Sequence, residues 1–394
     1  MPASRSRIPS HSRLSRRRWI GAAAWTIGRG SAAQGAEAKI LETRIISWKA
    51  PLYHGWPTLA RRKSGELLLV FSGGRETHVC PFGRVELMRS QDDGVTWRWP
   101  QVLYDGPIDD RDAGVVETPA GSLLVTTFTS LAYVPVLQKA EQTPPGSPGA
   151  WDPALLKEWQ AVHGRLTEEQ RQGELGCWML RSTDGGVTWS ARYRVPLNSP
   201  HGPVALKDGR LLYAGAALWT KDRKVGVFQS ADDGVTWEWL ADIPVRPGDD
   251  PQQYHELHAV ETASGKLLCH IRNHNPPNAA ETLQSESTDG GKTWSTPHPI
   301  GVWGLPSHLL RLKDGRLLMT YGYRRAPFGN QARISADEGA TWSEPLTISA
   351  DGQGGDLGYP STVECGDGTL VTVWYERLKD KPEAQLRQAR WWLG

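Results

Sequence analysis

The stretch STDGGVTW at Ser182–Trp189 decides the fold, because the same eight-residue pattern recurs four more times along the chain. The pattern Ser-x-Asp-x-Gly-x-Thr-Trp begins again at Ser90, Ser230, Ser287 and Ser335. In each copy the Asp can accept hydrogen bonds from turn amides, the Gly tolerates a positive φ, and the Trp can pack between sheets. The pattern therefore predicts a repeated β-hairpin turn, an Asp box, whose Asp residues are structural.

A second repeat runs through the same units and consists of two apolar alternating segments around a Gly turn. GPVALKDGRLLYAG, from Gly202, is one copy. Five further copies begin at Pro57, Ala113, His258, His308 and Ser361. Each alternation is typical of a β-strand. Six copies predict an all-β fold, a six-bladed β-propeller with Asp-box repeats.

The box spacing locates one irregularity. Successive boxes lie 92, 48, 57 and 48 residues apart, so the first interval holds about 40 extra residues. The excess falls at about 136–175, where LLKEWQAV and LTEEQRQ are helix-like. The sequence thus predicts a propeller over residues 41–394 with a helical insertion in the second blade. The segment Ile40–Ser47 is expected to join the last blade and close the ring, because a propeller leaves few open strand edges.

The composition of the chain narrows the kinds of partner and cofactor that it is expected to bind. The 394 residues carry a net charge of +2, with 45 basic and 43 acidic residues spread along the chain, which does not suggest a nucleic-acid partner. No run of eighteen apolar residues predicts a transmembrane segment. The four cysteines are far apart and lack the spacing of metal ligands. No metal or organic cofactor is expected. Disulfide pairing and oligomeric state stay open at this level.

Residues 1–40 are predicted to be a targeting signal rather than part of the fold. Arg16-Arg17-Arg18 precedes a Gly/Ala stretch at residues 21–28, and small residues follow. This pattern resembles a twin-arginine export signal, which predicts a periplasmic or extracellular protein. The alternative is a disordered basic arm.

Comparison of the six repeats predicts which residues meet at the propeller axis. Inner strands line the axis, so the residues nine before each turn Gly should converge on one funnel; they are Trp56, Asp112, Pro200, Glu256, Pro306 and Tyr359. Seven to ten residues after the same Gly stand Arg75, Arg272 and Arg325. Such a set of charges is costly to bring together unless something binds there. The alternative for each residue is a solvated, salt-bridged rim.

These motifs resemble the sialidase superfamily, whose members are six-bladed Asp-box propellers with an arginine triad and a Tyr nucleophile paired with a Glu. The resemblance covers nearly all of the chain after residue 40. It implies that Tyr359 is the nucleophile, Glu256 its partner and Arg272 the second triad arginine. Arg325 is the choice for the third arginine, with adjacent Arg324 nearly as good. The resemblance also places Arg75 and Asp112 in the substrate pocket.

Two positions depart from the family pattern. The first triad arginine is missing, because the matching stretch reads Tyr53-His54-Gly55-Trp56-Pro57. The acid/base Asp is also missing from the stretch Glu76–Pro81. His54, His78 and Glu76 are the candidates to replace that acid, with the two histidines preferred because imidazole titrates near neutrality.

The resemblance implies an exo-glycosidase that hydrolyses a terminal, sialic-acid-like sugar and therefore has a carbohydrate partner. A neutral Tyr suits a sugar whose anomeric carbon carries a carboxylate, and arginine pairs bidentately with that carboxylate. Two alternatives stand beside this hypothesis. One is a non-catalytic carbohydrate-binding propeller, because fold alone does not confer function. The other is a scaffold that binds a protein through the insertion at 136–175.

Overall fold

The computed structural model describes residues 37–220 and 223–394, which form six four-stranded antiparallel sheets. The prediction of an all-β, six-bladed propeller is confirmed. In blades 1 to 5 the strands follow each other in chain order, from the axis outwards. In blade 6 the last three strands of the chain are joined on the outside by the strand nearest the N-terminus, which closes the ring as expected.

The first three blades contain the following strands. Blade 1 consists of β2 (Tyr53–Arg61), β3 (Leu67–Arg75), β4 (Arg84–Ser90) and β5 (Gln101–Tyr104). Blade 2 consists of β6 (Asp109–Glu117), β7 (Leu123–Ser130), β8 (Cys177–Ser182) and β9 (Tyr193–Val195). Blade 3 consists of β10 (Val204–Ala205), β11 (Leu211–Ala216), β12 (Val225–Ser230) and β13 (Glu238–Asp242).

The remaining blades follow the same plan. Blade 4 consists of β14 (Tyr254–Glu261), β15 (Leu267–Asn273), β16 (Glu281–Ser287) and β17 (His298–Trp303), preceded by a 3₁₀ turn at Pro251–Gln253. Blade 5 consists of β18 (Ser307–Arg311), β19 (Leu317–Tyr323), β20 (Gly329–Ser335) and β21 (Leu346–Ser349). Blade 6 consists of β22 (Leu357–Glu364), β23 (Leu370–Leu378), β24 (Lys381–Leu393) and β1 (Ala38–Ser47).

Residues 1–36 of the predicted export signal lie outside the residues that the structure describes. Its last residues, from Ala38 to Ile40, belong to β1 and pair with β24, so the fold begins slightly earlier than the sequence suggested. Over the described part of the chain, no helix has the length and apolar character needed to cross a membrane.

Every Asp box forms the turn between the third and fourth strands of its blade, at the periphery. In the first box Asp92 accepts hydrogen bonds from the backbone N–H of Thr96 (2.8 Å) and from its hydroxyl (2.6 Å). The Ser90 hydroxyl accepts from the N–H of Gly94 at 2.9 Å. The box carboxylates therefore satisfy turn donors, which is the structural role expected from the sequence.

The insertion in blade 2 contains three helices between β7 and β8: α1 (Tyr133–Gln142), α2 (Pro153–His163) and α3 (Glu168–Glu174). It starts three residues before the predicted boundary. Trp159 of α2 is 2% exposed, and its indole N–H donates to Glu76 at 2.8 Å. Its ring meets Phe82 edge to face, 6.2 Å between centroids. The insertion thus packs against the loop 76–82 of blade 1, and helps to fix that loop beside the axis.

Candidate active site

The first strands of four blades bulge at the position that the sequence comparison selected. Trp56, Asp112, Glu256 and Tyr359 have φ values of 53°, 39°, 40° and 52°, and each lies at a register shift between the first and second strands of its blade. A left-handed φ costs a non-Gly residue about 1–2 kcal/mol. Four such residues at equivalent positions around one axis are strained backbone of the kind that clusters at functional sites.

Tyr359, Glu256 and Arg272 form one hydrogen-bonded group. The Tyr359 hydroxyl donates to Glu256 Oε1, and Arg272 Nη1 lies 2.5 Å from Glu256 Oε2 and 3.2 Å from the Tyr359 oxygen. Tyr359 is 4% exposed, whereas the Glu256 side chain is 17% exposed. The structure therefore places a phenol in direct contact with a carboxylate that can accept its proton, as a Tyr–Glu nucleophile pair requires.

The charges around this group set its resting protonation. Burial raises the pKa of Tyr359 well above its ordinary value, and the Glu256 charge raises it further, so the phenol is neutral at rest. Burial alone would also raise the pKa of Glu256, but the Arg272 charge and the hydrogen bond from Tyr359 outweigh it and hold that pKa low. A neutral Tyr359 beside an ionised Glu256 is the state from which the carboxylate can take the phenolic proton.

Asp112 lies at the equivalent bulge of blade 2 and is 5% exposed. Burial, with a further contribution from the Glu256 charge, raises the pKa of Asp112 to about 7. No described residue makes a hydrogen bond to its carboxyl group. Asp112 and Glu256, both predicted to line the pocket, thus have carboxyl pKa values shifted in opposite directions.

We expect Asp112→Asn to change the pH dependence of stability. An Asp whose folded pKa is raised adds stability below about pH 4, and this stability is lost as the pH rises through about 7, because the unfolded chain ionises first. The asparagine cannot ionise, so between pH 4 and pH 8 the variant should gain on the order of 2–4 kcal/mol relative to the wild type. Urea unfolding at both pH values measures this difference, and parallel pH curves for the two proteins would contradict it.

Of the two candidates for the third arginine, Arg324 and not the preferred Arg325 lies beside Tyr359. The Arg325 guanidinium lies on the ring of Trp303, 3.6 Å from its centroid, and the residue is exposed. Arg324 instead lies 5.9 Å from the centroid of the Tyr359 ring, and its Nε donates to the Leu357 carbonyl at 3.2 Å. Adjacent residues at the end of a strand point to opposite sides, which is why the sequence alone could not choose between them.

Arg75 and Trp56 are buried and contact other protein side chains, which corrects their expected role as substrate contacts. Arg75 is fully buried and pairs with both oxygens of Asp109, at 2.6 and 3.1 Å. Trp56 is 2% exposed, with the guanidinium groups of Arg75 and Arg111 stacked on it at 4.8 and 4.4 Å. Neither side chain has a face left for a ligand.

The two histidines proposed as replacement acids have different environments. His54 is 2% exposed, its Nδ1 lies 2.8 Å from the Ser47 hydroxyl, and burial lowers the pKa of His54 to about 4. It packs inside blade 1 against Phe71, so its expected role at the site is wrong. The His78 side chain is 45% exposed, so His78 stays a candidate for the replacement acid.

His78 belongs to a network that sequence reasoning missed. Its Nδ1 lies 2.9 Å from Asp356 Oδ1, and the same oxygen accepts hydrogen bonds from Tyr53 (2.9 Å) and Tyr375 (3.3 Å). The backbone carbonyl of His78 also accepts hydrogen bonds from Arg75 and Arg111, at 3.0 and 3.1 Å. Asp356 lies three residues before Tyr359, so proximity to the predicted nucleophile was the one signal that pointed to it.

Glu76, the remaining acid candidate, is held by the Trp159 indole at 2.8 Å, and burial raises its pKa. It faces the helical insertion. Within residues 37–220 and 223–394, no group of three or more His, Cys, Asp or Glu side chains is arranged to hold a metal ion.

Comparison with known proteins identifies the fold family. The model of the BNR repeat-like domain matches residues 156–372, which is just over half of the chain. The chain belongs to this family. The BNR-repeat chain is also similar to a sialidase of Bacteroides fragilis (strain YCH46), with 25% identity over 348 residues that cover 81% of this chain and 59% of the relative. It is 28% identical over 205 residues to a xyloglucanase of a Paenibacillus species, covering 46% of this chain and 19% of that protein.

Solved structures share the propeller. A protein of unknown function from Dyadobacter fermentans superposes with a TM-score of 0.73 at 22% identity and covers 91% of this chain and 99% of its own. The NanB sialidase from Streptococcus pneumoniae superposes with a TM-score of 0.62 at 15% identity, covering 89% and 70%. The BNR-repeat chain thus has the fold of sialidases, and it spans less than two thirds of the length of the sialidase and xyloglucanase relatives.

Proposed function

We propose that this protein is a retaining exo-glycosidase of sialidase type that removes a terminal acidic sugar. The contact between the Tyr359 hydroxyl and Glu256, with Arg272 bound to both, carries the proposal. A binding module has no use for a buried phenol paired with a base. The names of the relatives, sialidase and xyloglucanase, support glycosidase chemistry in general.

The first chemical step follows from these contacts. Glu256 takes the phenolic proton while the Tyr359 oxygen attacks the anomeric carbon, and the bond to the leaving oxygen breaks. Tyr is neutral before attack, so it approaches a carbon that bears a carboxylate without charge repulsion. Sialidases are a known exception to the use of two carboxylates in glycoside hydrolysis. Arg272, bound to the Tyr359 oxygen, stabilises the negative charge that builds on this oxygen as Glu256 takes the proton.

Two residues complete the proposed chemistry. Arg324 lies over the nucleophile with no described carboxylate bound to it, so it is the arginine available to pair with the sugar carboxylate. His78, held by Asp356, protonates the leaving oxygen and then activates the water that releases the sugar. This histidine lies in the same loop of blade 1 from which the family's Asp is absent.

Turnover of purified protein on a panel of aryl glycosides tests the proposal. The panel contains sialyl and related nonulosonyl sugars beside neutral hexosides. Release of an acidic sugar with net retention at the anomeric carbon is expected, because two displacements occur. Binding without turnover would instead favour a carbohydrate-binding propeller.

We expect Arg324→Gln and Arg325→Gln to differ, although both remove one positive charge. Arg324→Gln should raise KM for a sialoside on the order of 10–100-fold, because hydrogen bonds to charged groups contribute about 1.5–3 kcal/mol. Arg325→Gln should change it less than threefold, since this side chain lies on Trp303. Initial-rate kinetics on one aryl sialoside measure both, and equal effects would show that Arg324 is not the carboxylate partner.

A further inference from the structure

A chain of polar contacts extends from the predicted nucleophile to blade 3. Arg272 Nε donates to His274 Nε2 at 2.9 Å, and the His274 ring meets His255 edge to face, 5.0 Å between centroids. Arg223 Nη2 donates to His255 Nδ1 at 2.9 Å. Arg223 lies in the loop between β11 and β12, at the same end of its blade as Arg272 and Arg324 in theirs. We call Arg223, His255 and His274 the blade-3 edge.

The hydrogen bonds within the blade-3 edge fix what it offers to a ligand. Burial, and then the Arg223 charge, lower the pKa of His255 to about 4, and burial lowers that of His274, so both rings are neutral near pH 7. A neutral imidazole that accepts at one nitrogen carries its proton on the other. His255 therefore offers N–H at Nε2, and His274 offers N–H at Nδ1. Neither group has a hydrogen-bond partner among the described residues.

The Arg223 guanidinium adds a positive charge and further hydrogen-bond donors to the blade-3 edge. Its Nε is buried without a partner within the described chain, and the guanidinium makes no ion pair there. Burial lowers the pKa of Arg223, and the charge of Asp250 only partly offsets this, so the cation lacks full compensation. Its φ of 30° is unusual for a residue other than Gly. The donors of the edge that remain free have no acceptor within the described chain, and an anion supplies the acceptors that such a surface lacks.

We propose that the blade-3 edge binds a second acidic group of the substrate, separate from the carboxylate held beside Tyr359. The proposal rests on the proposed function for the statement that the ligand is a glycan. The acidic group is a carboxylate, phosphate or sulfate. It belongs either to the terminal sugar or to the unit to which that sugar is attached.

The kinetic test has two arms that separate these sources. One compares an aryl sialoside with the same compound carrying a phosphate at O9, and the other compares neutral with sulfonated aryl leaving groups. In one arm, the added acidic group should lower KM about tenfold in the wild type. Arg223→Gln should abolish that gain, and should raise the KM for the acidic substrate more than the KM for the parent substrate. Arg223→Lys should restore part of it. Lys224→Gln is the matched control, because this neighbour points to Trp239 of the outer strand.

A binding experiment keeps the inference separate from catalysis. Calorimetric titration with inorganic phosphate at constant ionic strength, in an Arg324→Gln background, should show one site that Arg223→Gln removes and Lys224→Gln retains. If no glycoside is hydrolysed but this site is present, the proposed function fails and the anion site stands. Absence of the site, or equal effects of Arg223→Gln on parent and acidic substrates, would overturn the inference.

Discussion

Tyr359→Phe is expected to reduce kcat on aryl sialosides by on the order of 10³-fold or more, with thermal stability close to that of the wild type. The substitution removes one oxygen and leaves the ring in its packing against Tyr375, 5.8 Å between centroids. Glu256 and Arg272 keep their mutual ion pair. Loss of a nucleophile in other hydrolases costs more than removal of a binding contact, so the effect should fall on kcat rather than on KM.

Glu256→Gln tests the other half of the pair. The amide keeps the shape of the side chain but cannot take the phenolic proton, so a loss of kcat on the order of 10²–10⁴-fold is expected.

Tyr321→Phe is the matched control for Tyr359→Phe, because Tyr321 is equally buried and its hydroxyl donates to Gln331 at 2.9 Å in blade 5, away from the pocket. A Tyr359→Phe enzyme with near-normal kcat would refute the nucleophile role, whatever its KM.

His78→Ala is expected to slow hydrolysis of natural glycosides by about 10²-fold or more, and of nitrophenyl glycosides far less. A nitrophenolate leaves without protonation, so only the poorer leaving group needs the acid. Asp356→Asn should give a smaller loss with the same substrate dependence, because Asp356 acts by holding His78 Nδ1 at 2.9 Å. Rates on both substrate types with each variant measure the ratio that defines the acid role.

His298→Ala is the matched control for this prediction. His298 is similarly exposed, at 48% against 45% for His78, and also contacts a carboxylate at 2.9 Å, but it lies on the outer strand of blade 4. It should leave both rates unchanged. Equal losses on the two substrate types in His78→Ala would show that the histidine contributes to binding and not to proton transfer.

Part of the site can be predicted from the amino-acid sequence, because residues at the same distance from the turn Gly of each repeat occupy equivalent positions in the blades. Asp112, Glu256 and Tyr359 stand nine residues before their turn Gly, and all three form bulges at the same end of the propeller. This comparison of repeats gives the position of the backbone but not the direction of a side chain. For this reason the repeats favoured Arg325 over Arg324, and they indicated a ligand contact for Arg75, which is ion-paired in the interior.

Side-chain contacts between segments distant in sequence could not be predicted. Asp356 of blade 6 binds His78 of blade 1, and Trp159 of the insertion binds Glu76 of the same loop. No periodicity relates these residues, since the ring brings the first and last blades together only when it closes. The burial that lowers the pKa of His54 and raises that of Asp112 likewise exists only in the folded chain.

The sequence by itself determined the number of blades, their phase and the closing strand, because turn and strand preferences are local and repeat along the chain. Only the tertiary structure decided which arginine faces Tyr359, which histidine stays accessible and where the insertion packs. Those outcomes depend on side-chain direction and on burial. Both are set by neighbours from other blades rather than by residues nearby in the sequence.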